Sequence, residues 1–257
     1  MQKDLAVLVL SYDGAHDLWA PFFELFFINW RDCPYKVYLL TNELDFKYSN
    51  VINVKSGKRE DWADSVRKAL AQIPEEYCLV FLEDSFLIDC VDEEKIDAAF
   101  KYMVKNEVDS LNLINLPKSR LKTNNKDYLA RSPRQTYCVT FVYSIIRKTL
   151  FNSLCKPGFS PWDYEIKNSL DAYRSGKLPG KFQSAKKPVL RVWAGGAVVK
   201  GRFTRTAVKY CRKNGIALNL EGIKVLTRAE TLKEWLRTLI WNMIPDFIIA
   251  KKYDSQY

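Results

Sequence analysis

The chain has 257 residues, 47% of them hydrophobic, which suits one globular domain with a sizeable core; its six cysteines (33, 78, 90, 138, 155 and 211) form no CxxC pair and read as small buried hydrophobes in a reduced compartment, excluding a zinc site or disulfide framework. No apolar run approaches the ~20 residues of a membrane span, and the chain enters the strand-like LAVLVL without signal-peptide features, so the expected location is cytoplasmic, free or peripheral on the inner face of the membrane. The net charge of +10 lies mostly after residue 118, with no zinc-finger spacing or RNP-like motif; phosphate-bearing substrates or anionic lipid are expected, and nucleic acid is not.

Residues 4–11 (DLAVLVLS) are a continuous apolar run and predict a buried, parallel strand ending in Ser11-Tyr12-Asp13-Gly14. Leu18, Phe22, Leu25, Phe26 and Asn29 then recur at helical spacing over 16–30. KVYLLT (36–41) and VINV (51–54) predict two strands. In 60–73, Trp62, Val66, Ala69, Leu70 and Ile73 share a helical face, closed by Pro74. A strand over 77–82 and a helix over 93–105 with Asp92 as N-cap complete an α/β alternation. Beyond it the pattern predicts a strand at 108–116, a mobile polar loop at 117–135, a strand at 137–146 and a short helix near 148–154. Ser160 and Pro161 mark another helix start as N-cap and N1. A Lys/Pro-rich connection leads to a strand at 189–193 and to the Gly- and Lys-containing AGGAVVKGRF. The last helix, 229–244, places Leu232, Trp235, Leu236, Leu239, Ile240 and Met243 on one face. The expected organisation is a mainly parallel α/β domain over 1–228 and an amphipathic helical extension over 229–257.

CLVFLEDSFLID (78–89) is the sharpest local feature, because its apolar run ends in two adjacent carboxylates, Glu83 and Asp84. Like charges at a buried strand end need a positive partner: an arginine or lysine, a helix N-terminus, or a metal ion. If Ser11–Asp13, Asn42–Glu43 and Glu83–Asp84 end strands of one sheet, they line one crevice, where ligands of open α/β sheets bind. Two carboxylates there would suit Mg²⁺ or Mn²⁺ holding a diphosphate. The competing reading is structural: an ion pair with a core arginine, or a cap on the next helix.

Strand–Ser-Tyr-Asp, strand–Thr-Asn, the helix DWADSVRKAL and strand–Glu-Asp-Ser-Phe-Leu, taken in this order, resemble GT-A nucleotide-sugar glycosyltransferases, in particular bacterial surface-polysaccharide enzymes (capsule, lipopolysaccharide, exopolysaccharide) with an EDxFL-type variant of the DxD motif. The resemblance covers residues 5 to 205 and implies a GT-A-like, Rossmann-like sheet flanked by helices. It also implies a nucleotide-sugar donor, foremost a UDP-sugar, and a glycan or lipid-linked acceptor. Carried over residue by residue, it places Ser11, Tyr12 and Asp13 beside the nucleoside, with Tyr12 stacking and Asp13 accepting from base or ribose. The alternative for these three is a plain strand-end turn. Glu83 and Asp84 would hold the diphosphate and metal, and Arg67 is a candidate for the diphosphate or a solvated surface arginine.

In PWDYEI the resemblance implies a general base for the acceptor hydroxyl, Asp163 foremost or Glu165. Asp163 also stands at N3, where an acid completes a capping box without any catalytic part. His16 is the sole histidine, so no late histidine ligates a metal; Lys200 and Arg202 could neutralise the diphosphate instead, with or without a metal. No GxGxxG, P-loop or Ser/His/Asp context is present. The apolar stripe of 229–252 with basic flanks would suit an anionic membrane interface, or docking on the protein's own core. A sugar-nucleotide nucleotidyltransferase would want a Gly-rich loop after the first strand, and a non-catalytic basic module for anionic glycan or nucleic acid would need no base.

Overall fold

Seven of the nine strands of the main sheet run in one direction, and their order is what positions the functional end. The computed structural model describes residues 4–58, 61–193 and 195–243. The strands are β1 (Leu5–Leu10), β2 (Val37–Thr41), β3 (Val51–Lys55), β4 (Tyr77–Leu82), β5 (Ser110–Asn112), β6 (Leu121–Lys122), β7 (Tyr128–Ala130), β8 (Ser144–Arg147) and β9 (Phe182–Ala185), in the spatial order β3-β2-β1-β4-β8-β5-β9-β7-β6. β1 steps outward to β2 and β3, and the chain then returns to place β4 on the other side of β1. That reversal makes the gap beyond the carboxyl ends of β1 and β4 the topological switch point of the sheet. The two strands pair in parallel from Leu5–Tyr77 to Leu10–Leu82, so Ser11 and Glu83 leave them side by side.

Alternation along β1 feeds both layers. Leu5, Val7 and Val9 meet α1 (Trp19–Asn29), where Phe22 and Phe26 pack edge-on to Phe81 of β4, and α3 (Glu93–Lys105) through Ile96, Ala99 and Met103. Ala6, Leu8 and Leu10 face α2 (Trp62–Gln72), α4 (Lys148–Leu154) and α5 (Pro161–Ser175). Each fully buried Phe or Leu here contributes roughly 1.5–3 kcal/mol. Helix starts follow local chemistry: Asp61 and Asp92 accept from Asp64 and Lys95 N–H, and Ser160 and Asp163 form a reciprocal capping box with Pro161 in the first turn.

Several expectations fail in the second half. The 137–146 run is a strand only over Ser144–Arg147, antiparallel to β4; Val139 instead bonds its backbone to Ser169 Oγ, and the run is apolar because it is a buried loop. The 189–193 run makes a single bridge, Val192 to Leu87. The 117–135 segment is not a loose loop: it holds the β6–β7 hairpin, Ser119 and Arg131 are buried, and β7 pairs with β9. β9, FQSA, lies in what the sequence suggested was a connection. A separate hairpin, β10 (Val198–Val199) and β11 (Arg202–Phe203), turns on Lys200 and Gly201, both at positive φ (52° and 71°). It precedes α6 (Arg205–Lys213) and α7 (Arg228–Met243). No helix among the described residues is long and apolar enough to cross a membrane.

Candidate functional site

β4 ends in a tight turn, Ser85 N–H bonding Leu82 C=O at 3.0 Å, so Glu83 and Asp84 occupy its two central positions. Neither structural reading of the pair holds. Arg147 of β8 lies opposite Tyr77 at the far end of β4 and binds Glu76 and Asp109, and α3 starts nine residues on under its own cap, Asp92. Among the described residues no lysine, arginine or histidine pairs with Glu83 or Asp84. Burial and then the charge of Asp84 push Glu83 up to about 8. Burial pushes Asp84 up to about 6, opposed by a bond from Val198 N–H. Both residues keep partial surface access at the switch point of the sheet and are not part of the core.

The wall over Asp84 comes from a segment whose role the sequence hinted at only through its paired glycines. Ala197 N–H bonds Asp84 C=O at 2.8 Å, and Gly196 (φ 74°) lies so close that a β-carbon there would overlap Asp84 Oδ2. Glycine is required for both reasons. Tyr143 Oη bonds Trp193 C=O at 3.2 Å, joining the same segment to β8's entry.

The β1 turn is partly structural. Ser11 Oγ accepts from Trp19 Nε1 at 2.7 Å. Asp13 does not face a nucleoside: its carboxylate accepts from Asn42, Glu43 and Leu44 N–H at 2.8, 2.9 and 3.2 Å, tying the end of β2 to the end of β1. Tyr12 is exposed between them, with its ring over Gly14, and is the residue of this turn that presents an aromatic face. Arg67 is likewise not at the crevice: it donates to Cys155 C=O and to Asp64, fixing α2 to the α4–α5 link. Lys200 and Arg202 are engaged by α7, Lys200 Nζ with Glu234 at 2.7 Å and Arg202 Nη1 with Glu230 at 2.6 Å. Val198 places their hairpin beside Asp84 all the same.

Asp163 and Glu165 separate cleanly. Asp163 Oδ2 accepts from Ser160 N–H and Oγ–H, and Oδ1 pairs with Lys167 at 2.9 Å. Burial raises its pKa, but these partners outweigh it and hold the carboxyl below the ordinary range. Such a group is a cap and a weak base. Glu165 accepts from the Thr140 hydroxyl, and burial raises its carboxyl against the opposing effects of Thr140, Phe141 N–H and Arg131. Thr140 and Phe141 lie just past the β4–β8 ladder, toward the Glu83 end, and Trp62 packs on both Phe141 and Tyr164 there. The charge that acts on Glu83 is that of Asp84, and the charge that acts on Glu165 is that of Arg131. Arg131 is fully buried, bonded to Ser184 Oγ and to the Tyr137, Cys138 and Leu116 carbonyls, and no sequence signal marks it.

No group of three or more His, Cys, Asp or Glu among the described residues could enclose a metal. The Glu83–Asp84 donor set is two hard oxygens lacking a counter-charge. It fits a Mg²⁺ or Mn²⁺ ion whose remaining ligands are phosphate oxygens and water, and does not fit a closed structural site.

No protein-family model matches the chain, and no curated protein matches its sequence. Solved structures share its general chain path. A UDP-glucose pyrophosphorylase complexed with UDP-glucose is 11% identical over 84% of this chain and 99% of its own, with a TM-score of 0.49. Residues 1–349 of Staphylococcus aureus TarS, in complex with UDP-GlcNAc, are 13% identical over 72% and 57% (TM-score 0.48). The mannosyltransferase PcManGT from Pyrobaculum calidifontis, with GDP-Man and Mn²⁺, is 13% identical over 72% and 55% (TM-score 0.41). This chain thus spans a little over half of the TarS and PcManGT chains.

Proposed function

We propose that the protein is a glycosyltransferase that moves a sugar from a nucleotide-sugar, foremost a UDP-sugar, to a hydroxyl of a glycan or lipid-linked acceptor, with inversion. One observation carries this reading: two uncompensated, desolvated carboxylates at the switch point of the sheet. Sites of this kind bind ligands at strand carboxyl ends, and a divalent cation shared with a diphosphate would offset the burial that raises both pKa values and the charge of Asp84 that adds to the rise of Glu83. Glu83 and Asp84 would hold that ion, which when bound supplies Lewis-acid stabilisation of the leaving diphosphate. Tyr12 supplies the stacking face for the base. Lys200 and Arg202 reach the diphosphate if they exchange Glu234 and Glu230 for phosphate, which would also serve a metal-independent site.

Glu165 takes the part of general base. It removes the acceptor hydroxyl proton as the acceptor oxygen bonds to the sugar's anomeric carbon and the bond from that carbon to the nucleotide oxygen breaks. Its raised pKa brings it nearer the operating pH, where proton abstraction is most effective. The segment after β1 favours sugar transfer over nucleotidyl transfer. It passes directly into the 3-10 turn Asp13–Leu18, where Asp13 N–H is already bonded to Asn42 Oδ1 and Ala15 N–H to Tyr12 C=O, which takes two donors away from any phosphate-binding loop. An anionic membrane contact through 229–252 is compatible with the exposure of Leu232 and Leu236; the side chains of Trp235 and Trp241 and residues 244–257 lie outside the described part.

A thermal-shift screen of UDP, GDP, CDP and their sugars, each with and without Mn²⁺, tests the reading. The expected result is stabilisation by one nucleotide family; none by any of them overturns the donor site. A non-catalytic module would keep its ligand affinity in Asp84→Ala and Glu165→Gln.

A further inference from the structure

We infer that the exposed basic face of α6 is a docking surface for an anionic phospholipid bilayer. Ala207 and Cys211 bury one side of this helix against the α1 layer, with Thr204 capping its start. Arg205, Lys209, Arg212 and Lys213 stand on the opposite side, at i, i+4, i+7 and i+8, all exposed. None of the four pairs with a carboxylate among the described residues. Between Thr204 and Arg228 the chain carries six bases and one acid, Glu221, which is half of its net charge of +10.

Helix stability accounts for only half of this face. Arg212 and Lys213 lie in the last turn of α6, where bases suit the helix dipole, but the first turn holds Arg205 and no acid, the unfavourable sign for a helix N-terminus. Like charges at i, i+4 (Arg205–Lys209 and Lys209–Lys213) repel one another. A negative partner relieves both.

Apolar neighbours select the partner. Arg212 rims an open hollow of about 350 Å³ lined by Val208, Ile216, Ala217, Leu218 and Leu220, and Leu220 is exposed. Bases beside accessible aliphatic side chains match an interface of anionic headgroups over acyl chains. Nucleic acid would be served by free aromatic faces, whereas the aromatic on α6, Tyr210, packs against Trp193. α6 follows directly on the hairpin beside Asp84, so docking through it would hold the crevice close to the lipid surface. The inference stands without the donor-site reading.

The test is co-sedimentation of the full chain with phosphatidylcholine vesicles containing or lacking phosphatidylglycerol, at low and physiological salt. Wild type should bind only the phosphatidylglycerol vesicles, and less as salt rises. Arg205→Gln/Lys209→Gln/Arg212→Gln/Lys213→Gln should lose on the order of a thousandfold in partition. Lys209→Gln/Arg212→Gln, the milder variant should the first not fold, should lose about thirtyfold. Unchanged binding by a variant that melts like wild type overturns the inference, as does equal binding to pure phosphatidylcholine. Tighter binding to DNA or RNA than to the vesicles at the same salt, lost in the same variants, overturns it too. Nucleotide binding, measured alongside, should be unaffected in both variants.

Discussion

Replacing Glu83 by glutamine should stabilise the protein in alkaline solution and leave it unchanged in acid. The Glu83 carboxyl, held at about 8 by burial and by Asp84, lies far above its ordinary value of 4.5. Between those values the folded chain keeps a proton that the unfolded chain has released. Stability therefore falls as pH rises through that window, and the penalty is complete above about 8. At 1.36 kcal/mol per tenfold in proton affinity the full gap is on the order of 5 kcal/mol. Water at the crevice mouth and the titration shared with Asp84 reduce the expected effect to about 2 kcal/mol. Glutamine keeps the shape and removes the charge. For a chain of this size about 2 kcal/mol is a rise in Tm of roughly 4–8 °C near pH 9, vanishing near pH 4. Scanning calorimetry of both proteins in EDTA across this range reads it. A gain of equal size at both ends of the range, or a loss near pH 9, would refute the claim that Glu83 is an uncompensated charge.

Gly196→Ala should lower Tm by roughly 3–6 °C in thermal melts, because it combines positive φ with overlap on Asp84; an unchanged Tm would show that the loop does not close on the acid. Asp13→Ala should cost about 1–2 kcal/mol in urea unfolding by removing the acceptor of three backbone N–H groups, of which the one on Asn42 is shielded from water, whereas a nucleoside-binding Asp13 would instead lose affinity at unchanged stability. Glu165→Gln should reduce turnover by at least about a hundredfold with donor affinity retained. Asp163→Asn should lose about 1 kcal/mol of stability and keep most of its turnover; the opposite pattern in steady-state kinetics would return the base to Asp163.

The half of the fold that builds the crevice was legible because its strands are buried on both faces. LAVLVL, VYLLT and YCLVFL can only be central strands, and their acidic or polar ends fall together once they lie parallel. β9 was not legible: FQSA is buried, yet its Gln183 and Ser184 are satisfied by Tyr102, Ser119 and Arg131, partners distant in sequence. Apolar content misled at 137–143 and 189–193, where buried loops need the same residues as strands. At the site, residue type identified Glu83 and Asp84 correctly as a pair in want of a counter-charge. It could not show that Asp13 and Arg67 spend their charges on backbone groups of other elements, whereas the local cap made by Asp163 was already open to it. Nor could it rank Glu165 above Asp163, because the difference lies in burial against Thr140.

Calorimetric titration of the nucleoside diphosphate that responds in the thermal screen, with and without Mn²⁺, into wild type and Asp84→Asn tests the central claim most directly. Mn²⁺ should tighten binding to wild type by at least about tenfold, and Asp84→Asn should abolish that gain while melting no lower than wild type near neutral pH. Equal affinity of the two proteins in Mn²⁺ would contradict the assignment of the β4 acids to the donor site.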